Sequence, residues 1–279
     1  MLKGKGICFI GGGAMAEAMI KGLLAKEIVQ PAQLIVVELD EGRLKLLSEC
    51  YGIAASSPSG AKEVLEIADI IILAMKPQQL TTAMAAYAGS LRAEQLLISV
   101  LAGVNLATIR QTVPSVTRVV RAMPNTSAAI GLSATGICTE PGGEISNLDL
   151  AEEVFRSIGT VVRVSEARMD AITALSGSGP AYVFALAEAM EQGGVAAGLD
   201  MAVARELTKQ TLLGAAQLLA SQNQPPDVLR RRVTSPGGTT MAALQVMQSA
   251  DFPEMMRQAI LSAAARSRDL ALLVAGSAN

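Results

Sequence analysis

Up to about residue 165, the apolar positions fall into short unbroken runs separated by amphipathic stretches. The runs are 6–10 (GICFI), 34–37 (LIVV), 70–75 (IIILAM), 96–101 (LLISVL), 118–122 (RVVRA), 134–139 (ATGICT) and 160–164 (TVVRV). An apolar run without alternation is what a strand covered on both faces of a parallel sheet shows. The intervening segments carry helical periodicity. One runs from Gly13 through MAEAMIKGLL, and one over 40–53 carries Leu44, Leu46 and Leu47 and ends near Gly52. Others are predicted at 61–68, at 106–113, at 147–157 and from Pro77, a residue suited to a first helical turn. Beyond residue 165 the strand pattern stops. Helices rich in Ala, Leu and Met are predicted at 169–198, 200–221, 226–233, 239–249 and 253–273. Gly193-Gly194, Gly198, Pro225-Pro226, Pro236-Gly237-Gly238 and Pro253 punctuate them, and Asp200 is a candidate N-cap.

Strand, glycine turn, helix and strand open the chain in that order, and the second strand ends on Glu38. Gly11-x-Gly13-x-x-Ala16 then reads as a dinucleotide fingerprint. Gly11 makes the turn, Gly13 lets backbone approach a pyrophosphate, and Ala16 lets helix and strand pack closely. The pattern predicts an α/β protein: an N-terminal Rossmann-type doubly wound sheet over 1–164, then an all-α domain over 165–279. Stretches such as AYVFALAEAM are apolar almost all round and need cover from more than one side, which predicts an intertwined dimer, with a compact monomeric bundle as the other reading.

Composition narrows the chemistry. With 23 basic and 25 acidic residues there is no basic footprint for nucleic acid or a membrane surface, and no apolar run is long enough to span a bilayer. The N-terminus leads directly into a strand, so no signal peptide is expected and a cytoplasmic protein is. Three scattered cysteines, Cys8, Cys50 and Cys138, do not suggest a disulfide framework, and Cys8 reads as a core residue. Histidine is absent, which removes His-based triads and His-ligated zinc; no metal site is expected.

Ligands bind open α/β sheets at the carboxyl ends of the strands. The segments there are Gly11 to Ala16 with Gly12, Ala14 and Met15; Ala74-Met75-Lys76-Pro77-Gln78; and Val100-Leu101-Ala102-Gly103. Lys76 reads equally as a partner of phosphate or ribose and as a solvated lysine. Glu38 would accept a ribose 2′-OH and repel a 2′-phosphate, although it also fits as a surface acid. In the helical half, Ser176-Gly177-Ser178-Gly179-Pro180-Ala181-Tyr182 interrupts and restarts a helix. Thr234-Ser235-Pro236-Gly237-Gly238-Thr239-Thr240 does the same, and aims N–H groups of Gly238, Thr239 and Thr240 where a carboxylate could sit. Each also reads as a helix cap at a tight crossing. The Arg230-Arg231-Arg232 run reads as a solvated helix end.

With these residues in hand, the sequence resembles the pyrroline-5-carboxylate reductase family along essentially its whole length. The likeness rests on FIGGGAMAEA, LAMKPQ, SVLAG, RAMPNT, LSGSGPAY and VTSPGGTTMAAL. It implies reduction of the cyclic imine 1-pyrroline-5-carboxylate to L-proline by NADP(H) or NAD(H), with no metal. It also implies a homodimer assembling further, commonly to a decamer. Carried over, Gly11, Gly13, Ala14 and Met15 hold the pyrophosphate, and Ala74, Lys76, Pro77 and Ala102 line the crevice. Ser235, Thr239 and Thr240 bind substrate, with the Thr240 hydroxyl on the ring nitrogen, and Glu166 matches a position that reaches the proline site. Two departures stand out. Glu38 replaces a small or hydroxyl residue and points toward NADH, and Ala61 replaces an Asn that faces the adenine ribose. A β-hydroxyacid dehydrogenase would need a lysine that is missing between Lys76 and Lys209; a nucleotide sensor without turnover would not need the SPGGTT loop.

Overall fold

The computed structural model describes the backbone of residues 1–276 and side chains through Leu272. Eight strands form one sheet, alternating with helices. In chain order the first part reads β1 (Ile7–Ile10), α1 (Ala14–Ala25), β2 (Leu34–Val37), α2 (Glu41–Tyr51), β3 (Ala54–Ser56), α3 (Ala61–Ile67), β4 (Ile70–Leu73) and α4 (Leu80–Tyr87). There follow β5 (Leu96–Ser99), α5 (Leu106–Thr112), β6 (Arg118–Met123), β7 (Ser133–Cys138), α6 (Ile145–Arg156) and β8 (Gly159–Arg163).

The strand order is β3-β2-β1-β4-β5-β6-β7-β8. β1 pairs in parallel with both β2 and β4, so the order reverses at β1 and a crevice opens there. The sheet is parallel through β6, and β7 then runs antiparallel to β6 with β8 parallel to β7. The apolar runs follow from burial on both faces. Ile7 and Phe9 enter one core beside α1 residues such as Met19 and Leu23, and Cys8 and Ile10 enter the other beside Leu65 and Leu80. Successive side chains of a strand point to opposite faces, so every position must be apolar.

After β8 no strand occurs among the described residues. α7 (Met169–Ile172) runs into a π-helical turn over Thr173–Gly177. Then come α8 (Gly179–Ala196), α9 (Met201–Ser221), α10 (Pro226–Arg232), α11 (Thr239–Ser249) and α12 (Phe252–Gly276). Asp200 sits at the N-cap of α9, but its side chain makes no capping hydrogen bond. By backbone contacts one compact unit comprises residues 1–178 with the described residues from 261 to 276, and the other comprises 179–260. The change of structural class thus follows Arg163, and the contact division falls beside the π-turn.

Candidate active site

The glycine turn is built by close backbone approach. Gly11 has φ +100, and a Cβ there would lie 2.7 Å from the Met75 nitrogen and 2.8 Å from the Ala74 carbonyl carbon. Its N–H donates to Val37 O at 2.8 Å, tying the turn to β2. Gly12 is buried and gripped from both ends. Its N–H donates to Glu38 Oε2 at 2.7 Å, and its carbonyl accepts from Arg43 Nε at 2.6 Å. Gly13 differs from both. It caps α1 with an ordinary φ of −67, and a Cβ built on it meets nothing within 4 Å. The first-turn N–H groups of a helix have no intrahelical partner, so Gly13, Ala14 and Met15 present donors at the positive end of α1. Ala16 is buried beneath them, as the fingerprint requires.

Beside this turn lies a cleft of about 590 Å³. It brings together Gly11, Gly13, Glu38, Ala74, Met75 and Lys76. Gly12, Ala14, Met15, Pro77, Val100, Leu101 and Ala102 are not in its lining. Gly12 is shielded by the contacts just described, and the Leu101 side chain is turned into the core at 2% exposure. Sequence reasoning missed Leu39 and Pro58, and also the α4 face of Thr82, Ala83, Ala86 and Tyr87, which completes the wall. The spacing of three and four along that face was the available signal. Ala61 is buried at the start of α3 and offers the cleft no polar atom.

These residues fit a dinucleotide. The open space at Gly13, the free end of α1, the cleft at the sheet's switch point and an acid at the end of β2 form a coherent set. Behind them, Arg43 also pairs with Glu17, and Tyr51 Oη donates to Glu17 Oε1 at 2.8 Å. The Arg43 guanidinium, then Tyr51, hold the Glu17 carboxyl below its usual range. Burial, then Glu17, pushes the Tyr51 phenol up to about 12. Burial likewise lifts the Cys8 and Cys138 thiols to about 12, so neither is a thiolate nucleophile at neutral pH.

A second cluster lies beyond β5. Glu166 Oε1 accepts from the Leu106 N–H at 2.6 Å and faces Arg121, which is buried at 4% exposure, at 3.5 Å. Asn125 Nδ2 donates to Ser176 O at 2.9 Å, anchoring the π-turn, and a Cβ on Gly177 would sit 2.7 Å from Met123 Cε. π-turns interrupt helices at a cost and recur at functional sites.

In the other unit, the Ser235 to Gly238 turn delivers the chain into α11. Gly237 has φ +69, a Cβ on Gly238 would overlap Ser235 Oγ, and the Gly238 N–H donates to Ser235 O at 3.1 Å. Ser235 and Thr239 are exposed and Thr240 is half-buried, and no side chain caps the α11 N-terminus. Among the described residues no group of three metal-ligating side chains occurs, and no helix is long and apolar enough to cross a membrane.

A family model described as pyrroline-5-carboxylate reductase dimerisation matches residues 166–270, and one described as NADP oxidoreductase, coenzyme F420-dependent, matches residues 6–103. A pyrroline-5-carboxylate reductase of Synechocystis sp. is 40% identical over 261 residues, covering 94% of this chain and 96% of the relative. Among solved structures, a pyrroline-5-carboxylate reductase from Coxiella burnetii superposes with a TM-score of 0.88 at 34% identity, over 95% of this chain and 98% of that one. The Plasmodium falciparum pyrroline carboxylate reductase, solved with NADP bound, gives 0.83 at 26% identity over 96% and 98%. All three are reductases by name, which favours the enzymatic reading over a sensor without turnover.

Proposed function

The chain belongs to the pyrroline-5-carboxylate reductase family, and from that premise we propose that it reduces 1-pyrroline-5-carboxylate to L-proline, the last step of proline biosynthesis, with NAD(P)H as donor. The observation that carries the cofactor half is the cleft at the sheet's switch point, with an open Gly13 and an acid at its rim. A nicotinamide held there would supply the hydride that the imine carbon needs. The protein's own work is binding and alignment. Gly11, Gly13, Ala14 and Met15 hold the pyrophosphate, with Gly12 shaping the turn. Ala74, Met75, Lys76, Pro77, Val100 and Ala102 flank the rest of the cofactor, and Leu101 can contribute only backbone. Ser235, Gly238 and Thr239 take the substrate carboxylate at the head of α11, and Thr240 orients the ring nitrogen, which takes the proton that completes the amine from the Thr240 hydroxyl or from bound water. Glu166 is assigned to the substrate side.

Glu38 favours NADH, because its carboxylate suits a 2′-OH and repels a 2′-phosphate. Residues 165–279 are taken as the substrate-binding and dimerisation domain. The homodimer assembles to a larger oligomer such as a decamer, in the cytoplasm.

The test follows nicotinamide absorbance with the purified protein, pyrroline-5-carboxylate and either cofactor. We expect turnover with both and a higher kcat/KM with NADH. A strong NADPH preference would keep the reductase and remove the Glu38 argument. A folded protein that binds cofactor but turns over neither would remove the enzymatic assignment.

A further inference from the structure

Arg43 and Glu38 grip the same residue of the glycine turn. Glu38 accepts from the Gly12 N–H and Arg43 Nε donates to the Gly12 carbonyl, so carboxylate and guanidinium flank the same residue. Yet Arg43 is not in the lining of the cleft. It is occupied behind the turn by Glu17 of α1, which is itself fixed by the Tyr51 hydroxyl at 2.8 Å from the end of α2. The Arg43 backbone is fixed as well, because its N–H donates to Asp40 Oδ1 at 2.8 Å in the α2 cap. Any movement of Arg43 toward a ligand must therefore come from its side chain, by exchange of these contacts.

Resting on the nucleotide reading above, we propose that Glu17 is a specificity-determining residue: it sequesters the Arg43 guanidinium, a latent ligand for the 2′-phosphate of NADP(H). A guanidinium recognises a phosphate through paired N–H donors, and it does so best when no carboxylate already occupies the fork. Here Glu17 Oε2 holds Nη2 and the Gly12 carbonyl holds Nε, so that edge of the guanidinium is already engaged. Discrimination against the 2′-phosphate therefore has two parts, repulsion by Glu38 at the rim and withdrawal of Arg43 behind the turn. Asp40 and Glu41 add negative charge on the α2 side, and Lys21 lies close enough to Glu17 to favour its ionised form. Neutralising Glu17 leaves Arg43 with a carbonyl as its partner, which a doubly charged phosphate can displace.

The experiment measures affinity for adenosine 2′,5′-bisphosphate and for 5′-AMP by titration calorimetry, on the full chain and on Glu17→Gln, Arg43→Met and the double variant. These nucleotides differ only in the 2′-phosphate, and neither reacts. In Glu17→Gln the affinity ratio of bisphosphate to AMP rises about fivefold or more, the scale of one charge-assisted contact, while AMP binding stays unchanged. Adding Arg43→Met removes the gain. An unchanged ratio in a folded Glu17→Gln protein that still binds AMP overturns the inference and leaves the nucleotide reading intact. A gain that survives in the double variant overturns it too, because the effect would not pass through Arg43. Should Glu17→Gln fail to fold, Tyr51→Phe loosens the same carboxylate and must shift the ratio in the same direction. Wild-type protein that binds neither nucleotide overturns the nucleotide reading and this inference together.

Discussion

Glu38 shows how a single carboxylate divides its capacity. It accepts from the Gly12 N–H at 2.7 Å, from Leu39 N–H at 2.6 Å and from Asp40 N–H at 3.2 Å. A carboxylate offers roughly four lone-pair sites, so about one remains for a ribose hydroxyl. The acid is therefore a fixed negative charge that shapes the glycine turn as well as a ligand group. Glu17 is fixed differently, by side chains, and its depressed pKa links it to stability. Its folded value lies below the ordinary 4.5 because Arg43, then Tyr51, bind the ionised form. That contribution is complete above pH 4.5 and is lost as the pH falls through the depressed folded value. We expect Glu17→Gln to lower stability by about 0.5–1 kcal/mol at pH 7, as for a partly exposed pair, with the difference shrinking toward zero as the pH drops below 4.5. Urea unfolding of both proteins across that range checks it, and a difference that does not change with pH would refute it.

The turn between β1 and α1 separates two uses of glycine that look alike in sequence. At Gly11 a side chain would meet backbone atoms of Ala74 and Met75 that cannot give way, at a positive φ. At Gly13 a side chain would meet only open space at an ordinary φ. Gly11→Ala should cost about 2 kcal/mol or more in folding stability. Gly13→Ala should melt near wild type yet weaken NADH binding about tenfold or more, since the methyl enters space a pyrophosphate needs. Thermal melts with nucleotide titration separate the two, and equal melting temperatures would contradict the assignment. The elements around this turn were legible because burial on both faces forces unbroken apolar runs. β3 was not, since Ala54 and Ala55 lie exposed at the sheet edge and carry no apolar signature. The reversal at β7 had a signal in the turn-like Met123-Pro124-Asn125-Thr126. Between β6 and β7 there is no room for the dozen or more residues that a parallel crossover needs, so β7 must return antiparallel. The strand predicted to reach residue 101 ends at Ser99, and Leu101 is apolar because the core takes it. The Glu17 to Arg43 pair stayed hidden because charged residues on helices read as solvated faces until tertiary contacts bring α1 and α2 together.

At the scale of the molecule, helices α8, α9 and α11 carry large apolar residues that lie exposed. α8 has no buried residue, and α9 buries only Ala204 and Thr208. Gly194 of α8 and Ala204 of α9 meet closely, with a built Cβ 3.1 Å from the Ala204 methyl, but small residues at that crossing bury little area. Phe184 is 68% exposed, Leu207 53% and Val246 70%. A single exposed Leu is ordinary, whereas several large apolar residues on consecutive helices mark an interaction surface. The dimerisation family matched here covers these helices, so a second copy is the partner of fitting chemistry. Symmetry then doubles each effect, because a two-fold interface uses the same patch on both subunits. Covering one Phe is worth about 2 kcal/mol, so Phe184→Glu loses that twice and adds a pair of desolvated charges. We expect wild-type protein to scatter light as a multiple of the 28.8 kDa chain. Phe184→Glu should shift toward monomer at micromolar concentration, melt lower and lose turnover. Light scattering after size-exclusion chromatography decides it: a wild-type monomer, or a variant with wild-type mass and melting temperature, would show that these residues are covered in some other way.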